Sequence, residues 1–127
     1  MVHTIDVKST ARNEMIDITD RVTDMVTDVD EGVVVVFTPH TTGAVTINEN
    51  ADPDVPRDVL GHLSEMVPNK GFRHAEGNSD AHIKSSLVGA SETIIVKDGR
   101  LVLGTWQSVF FCEFDGPRRR KVHVLIR

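Results

Sequence analysis

Val33-Val34-Val35-Val36-Phe37 is the stretch on which the fold turns. Four β-branched side chains and an aromatic ring in succession lose rotamer freedom against a helical turn, whereas a pleated strand accommodates them. A polar-free run of this length reads as a strand covered on both faces at the centre of the core. Upstream, Val2-His3-Thr4-Ile5-Asp6-Val7 and Met15-Ile16-Asp17-Ile18 alternate in part, which predicts two strands joined as a hairpin near Ala11-Arg12-Asn13. Between them and the valine run, Thr19 or Asp20 can cap a helix whose apolar face carries Val22, Met25, Val26 and Val29, with Gly32 as its end.

Downstream, the break at Thr38-Pro39-His40-Thr41-Thr42-Gly43 leads to a short strand, Ala44 to Ile47, and a polar stop at Asn48-Glu49-Asn50. Asp52-Pro53 offers an N-cap and first-turn pair for a helix striped by Val59, Leu60, Leu63, Met66 and Val67. Pro68 to Ser79 reads as a long loop, and Asp80 to Gly89 as a short helix with Ile83 and Leu87 on its apolar side. A strand from Thr93 to Val96, an Asp98-Gly99 turn, and strands at Leu101 to Leu103, Ser108 to Phe114 and Lys121 to Ile126 complete the chain. Short strands with tight connections and no glycine-rich phosphate loop predict an α+β fold: a largely antiparallel, two-layer β-sandwich-like sheet with about three flanking helices, in one domain over residues 1–127.

Composition narrows the function classes. The net charge of −5 opposes general attraction to nucleic acid or anionic lipid, so any anion must be met locally. Met1 to Asp6 carries neither a basic leader nor an apolar run, and no segment approaches the about 20 apolar residues that span a bilayer, so a cytoplasmic location without membrane contact is expected. Cys112 is the lone cysteine, and in Val109-Phe110-Phe111-Cys112 it reads as a small buried hydrophobe.

Chemistry concentrates in the polar breaks. His40 follows the valine strand directly, where a turn can hold its ring for ligation or acid–base work, or leave it solvated. Asn48 and Asn50 sit two apart, offering uncharged donors and acceptors to a ligand or simply forming a turn. His74-Ala75-Glu76-Gly77-Asn78-Ser79-Asp80-Ala81-His82 gathers imidazole, amide, hydroxyl and carboxylate groups. Its two histidines with His40 could hold a divalent ion, Zn²⁺ or Mg²⁺, or a histidine such as His82 could work with Asp80 or Glu76 as an acid–base pair; Asp80 equally suits a helix cap. His82, Ser85, Ser86 and Gly89 share a helical face, Trp106 suits packing, and Gln107 offers a neutral donor and acceptor. Arg118 and Arg120 share a strand face fit for a diphosphate or carboxylate, with Arg119 and Lys121 on the other.

Taken together, Thr38 to Gly43, Asn48-Glu49-Asn50-Ala51-Asp52-Pro53, Asn78 to Leu87, Gly104-Thr105-Trp106-Gln107 and Asp115-Gly116-Pro117-Arg118 resemble the YjbQ-like family, described as secondary thiamine-phosphate synthase. The resemblance implies a β-rich sandwich with flanking helices, assembled as a homotrimer, with a polar pocket near subunit boundaries. It implies a transferase that joins a pyrimidine-methyl diphosphate to a thiazole phosphate. His40, His74 and His82 match the family's histidines, and Asn48, Asn50, Asn78, Asp80, Ser85 and Gln107 its polar positions. Two other readings stand beside it: a metal-dependent, hydrolase-like enzyme using the three histidines, and a non-catalytic module binding a small phosphorylated ligand.

Overall fold

The structure is a computed structural model describing residues 1–127. Its elements run β1 (Val2–Lys8), β2 (Glu14–Asp17), α1 (Thr19–Thr23), β3 (Glu31–Phe37), β4 (Gly43–Glu49), α2 (Asp54–Met66), α3 (Ser79–Val88), β5 (Ser91–Lys97), β6 (Arg100–Leu101), β7 (Gln107–Glu113) and β8 (Arg119–Ile126). The strands form two antiparallel sheets, ordered β1-β8-β3-β5-β6 and β2-β7-β4. The α+β sandwich expected from the sequence is therefore present, with three helices.

The valine run does take the middle of the larger sheet, but it is covered on one face only. Val34 and Val36 are fully buried, while Val33 and Phe37 look outward. The strand buried on both faces is β7. Val109 and Phe111 enter the main core between the sheets, with Ile5, Val34, Val36, Ile94, Val122 and Val124 among others. Phe110 and Cys112, with Phe114 just beyond the strand, enter a second core under α2 and α3. Burial pushes the Cys112 thiol up to about 12, in keeping with a packed, inert side chain. The β3 assignment erred because an uninterrupted apolar run does not report how many layers lie over it.

The expected β1–β2 hairpin does not form. β1 pairs with β8, and β2 with β7 in the other sheet. The link between them crosses the sandwich, held where the Ser9 N–H donates to the Arg118 carbonyl and the Ser9 hydroxyl to Glu113. α1 is one short turn, yet Val22 and Val26 still reach the core, so the apolar spacing was informative although the helix length was not. Gly32 does not end that helix. It lies in β3, where a Cβ would run into the Arg127 carbonyl oxygen.

α3 reverses the expected polarity. Asp80, Ala81, Lys84 and Ser85 face inward, whereas Ile83 and Leu87 are exposed. Trp106, expected to pack, is 63% exposed.

The Asp98-Gly99 turn is as expected, with both residues at positive φ (52° and 72°) between paired β5 and β6. A Cβ at Gly99 would also stand 2.5 Å from the Thr27 carbonyl oxygen. Gly99→Ala should therefore lower stability by about 1–3 kcal/mol, read as a lower urea midpoint at unchanged slope.

Candidate functional site

The Thr38–Thr42 loop leaves β3 under close restraint. The Thr38 N–H donates to the Ala90 carbonyl at 2.9 Å, and Thr38 and Thr42 are buried. Within this loop His40 Nε2 accepts the Lys121 backbone N–H at 2.9 Å. That bond fixes the tautomer: the lone pair sits on Nε2, so the neutral ring carries its proton on Nδ1. Burial, then the nearby positive charge of Arg120, hold the His40 pKa below its ordinary value of 6.5. His40 is thus a neutral hydrogen-bond donor near pH 7.

Two ion networks underlie the loop and α3, one buried and the other reaching the surface at Arg12. Arg120 Nε donates to Glu113 Oε1 at 2.8 Å, and its Nη2 to Glu113 Oε2 and to the Thr42 hydroxyl. Burial works against the Glu113 carboxylate, yet Arg120, the Asp115 N–H and the Ser9 hydroxyl outweigh it and hold its pKa below the ordinary range. In the second network Arg12 grips both Asp80 oxygens at 2.8 and 3.0 Å. Lys84 Nζ lies 3.6 Å from Asp80 and also donates to Asn13 and Ser64. The hydrogen bonds from Arg12 depress the Asp80 pKa; burial depresses that of Lys84. This charged cluster explains the inverted face of α3: Asp80 and Lys84 point inward because their charges are satisfied there.

Between the His40 loop and α3 lie two adjoining surface basins of about 390 and 440 Å³. His40, Thr41 and His82 line both. The first adds His74, Glu76, Asn78, Arg118 and Arg120, and the second Ser85, Ser86, Gly43 and Gly89. Each basin is lined by a residue with a buried polar atom lacking a hydrogen-bond partner, Asn78 Oδ1 in the first and Ser85 Oγ in the second. Such atoms cost free energy unless a ligand or water meets them.

The structure brings together His40, His74, Asn78, His82, Ser85 and Arg118 of the residues expected from the sequence. Asp80 is adjacent but turned inward, with both oxygens engaged by Arg12, which leaves it to orient α3. Asn48, Asn50 and Gln107 lie apart, because Asn48 is five residues along β4 from Gly43, roughly 17 Å at the usual strand rise. There Asn48 accepts the Glu49 N–H, Asn50 donates to Asp17, and Gln107 accepts the Gly104 N–H.

Arg120 is not free for a diphosphate, since Glu113 holds its charge. Arg118 is partly held by Asp115, at 3.0 Å. The His40/His74/His82 metal set is not assembled: His40 Nε2 is occupied by a donor, and nowhere do three His, Cys, Asp or Glu groups converge as a metal site. What remains is an edge-to-face His74–His82 pair with ring centroids 5.4 Å apart.

Sequence reasoning missed the inward roles of Arg12, Lys84 and Glu113. A carboxylate directly after Val109-Phe110-Phe111-Cys112 was the available signal, since a charge in a buried strand requires a partner.

The family model for the UPF0047 protein YjbQ-like family matches residues 3–127. The UPF0047 protein of Methanocaldococcus jannaschii is 53% identical over 99% of this chain and 94% of its own length. A crystal structure of a YjbQ/UPF0047-family protein from Clostridium acetobutylicum is 52% identical, with a TM-score of 0.96, over 98% of this chain and 99% of that one. A YbjQ-like protein of unknown function from Sulfolobus solfataricus retains a TM-score of 0.95 at 32% identity, over 99% of this chain and 95% of that one.

Two outcomes follow from the geometry. In ¹⁵N spectra near pH 7 His40 should show a protonated Nδ1 and a bare Nε2 and should titrate below 6.5; the reverse tautomer would contradict the Lys121 hydrogen bond. Because the folded pKa of Glu113 lies below its ordinary 4.5, its stabilisation is present above that value and is lost as pH falls through the folded pKa. Glu113→Gln, which leaves Arg120 buried without its counter-charge, should cost about 3–5 kcal/mol at neutral pH and flatten the acid limb of the stability curve, measured by urea unfolding.

Proposed function

This chain belongs to the UPF0047 YjbQ-like family, and from that premise we propose that the His40/His82 cleft binds a small phosphorylated molecule and serves a transferase reaction of the thiamine-phosphate synthase type. The observation that carries the reading is the pair of basins meeting over His40, Thr41 and His82, an arrangement suited to two substrates that must touch.

In this reaction the bond from the pyrimidine-methyl carbon to the diphosphate oxygen breaks, and its electron pair leaves with the diphosphate. The lone pair of the thiazole nitrogen forms the new carbon–nitrogen bond. No proton has to be removed from the nucleophile, so the histidines act as donors to developing negative charge. Neutral His40 offers Nδ1–H, the Arg118 guanidinium has N–H groups beyond those held by Asp115, and His82 borders both basins. Asn78 and Ser85, which line the two basins, each carry a buried polar atom without a hydrogen-bond partner.

The scheme is written for the chain's own side chains, since three His, Cys, Asp or Glu groups do not converge in the cleft. The exposed apolar side chains Val33, Phe37 and Ile95 on the outer sheet are compatible with the homotrimer that the resemblance implies.

The pure protein, given the pyrimidine diphosphate and thiazole phosphate with and without Mg²⁺, should form thiamine phosphate. His82→Ala should lower the rate by about 10²-fold or more, followed by product chromatography. Saturable binding without product, or turnover untouched by the substitution, would reject the proposal.

A further inference from the structure

A third cavity, of about 460 Å³, also borders His40 and is lined by β1 and the start of β8. Its charged lining is Lys8, Arg119, Lys121 and Asp6, with buried Arg120 beneath. Lys8 and Arg119 are register partners on adjacent antiparallel strands, and both point to the outer face. Like charges directly opposed across a ladder repel each other. Neither engages a carboxylate, although acidic residues outnumber basic ones by 19 to 14 in this chain. Lys121 has only Asp6, at 3.6 Å, and Arg120 is already neutralised by Glu113. Three exposed cations therefore face one carboxylate in an otherwise acidic protein.

The chemistry matches a small multivalent oxyanion. A guanidinium supplies a planar fork of donors, and two ammonium groups supply mobile point charges. An anion held there would relieve the Lys8–Arg119 repulsion that the fold itself leaves unbalanced. We propose that this cavity is a second anion site, distinct from the His40/His82 cleft, which takes a phosphate or diphosphate group through Lys8, Arg119 and Lys121. His40 lines both places, so occupancy of one is sensed at the ring that borders the other.

The test uses inorganic pyrophosphate as the probe, titrated calorimetrically into the full chain, with ¹⁵N-histidine spectra recorded in parallel. Saturable binding is expected that weakens as salt is added and moves the His40 resonances. Lys8→Gln and Arg119→Gln should each reduce affinity by about tenfold, the usual worth of one charged hydrogen bond. Because the cleft also takes a diphosphate, two binding events are expected, and Arg118→Gln, which alters the cleft, should weaken one of them while leaving in place the one that Lys8→Gln and Arg119→Gln weaken. If only Arg118→Gln abolishes binding, the anion sits in the cleft and this proposal fails while the transferase reading stands. The proposal also fails if the wild-type chain does not bind pyrophosphate. It fails likewise if Lys8→Gln and Arg119→Gln change sedimentation without changing pyrophosphate affinity, which would assign these cations to a second copy of the chain.

Discussion

Glu113 and Arg120 face each other in the interior, and two further parts of the chain are tied to their pairing. Glu113 closes β7, the strand that carries both cores, and Arg120 opens the buried side of β8. The Ser9 hydroxyl reaches Glu113 from the link that carries the chain from one sheet to the other, and Thr42 reaches Arg120 from the His40 loop. A buried ion pair is costly to desolvate, and removing one member leaves the other charge stranded. Its role here is geometric: it closes the corner of the sandwich at which β1, β8 and the histidine loop meet.

The same pair shapes the electrostatics of the cleft. The positive charge of Arg120 discourages protonation of His40, while Glu113 acts in the other direction. The backbone N–H of Lys121 then selects the tautomer. One strand, β8, thus supplies the buried cation, the tautomer-fixing donor and, on its outer face, Arg119 and Lys121. Alternation of side chains along a strand separates these tasks onto opposite faces.

Across the cleft, the Arg12–Asp80–Lys84 cluster orients α3. With its charges facing inward, the helix presents His82, Ser85 and Ser86 to the basins, which an ordinary apolar inner face of Ile83 and Leu87 would have turned elsewhere. The polar cluster therefore sets which side chains the cleft receives, at the expense of leaving apolar groups exposed. Arg12 comes from the far end of the sequence, so this arrangement depends on the β1–β2 link being fixed at Ser9.

The sequence by itself determined the composition of the layers: the β-branched and aromatic runs, the Asp98-Gly99 turn, and the apolar spacing of Val22 and Val26 all follow from local sterics and periodicity. It also marked His40 and the His74 to His82 segment, because polar groups crowded into strand ends and loops are visible without coordinates. Which strand is covered twice was decided only by tertiary structure, since β3 and β7 are both apolar runs and differ only in what packs over them. The separation of Asn48, Asn50 and Gln107 from the histidines was likewise tertiary, set by the length of β4. So were the inward turn of Asp80 and the loss of Arg120 as a free cation, because partners 68 and 7 residues away in the chain determine whether a charge is spent inside the fold or left for a ligand.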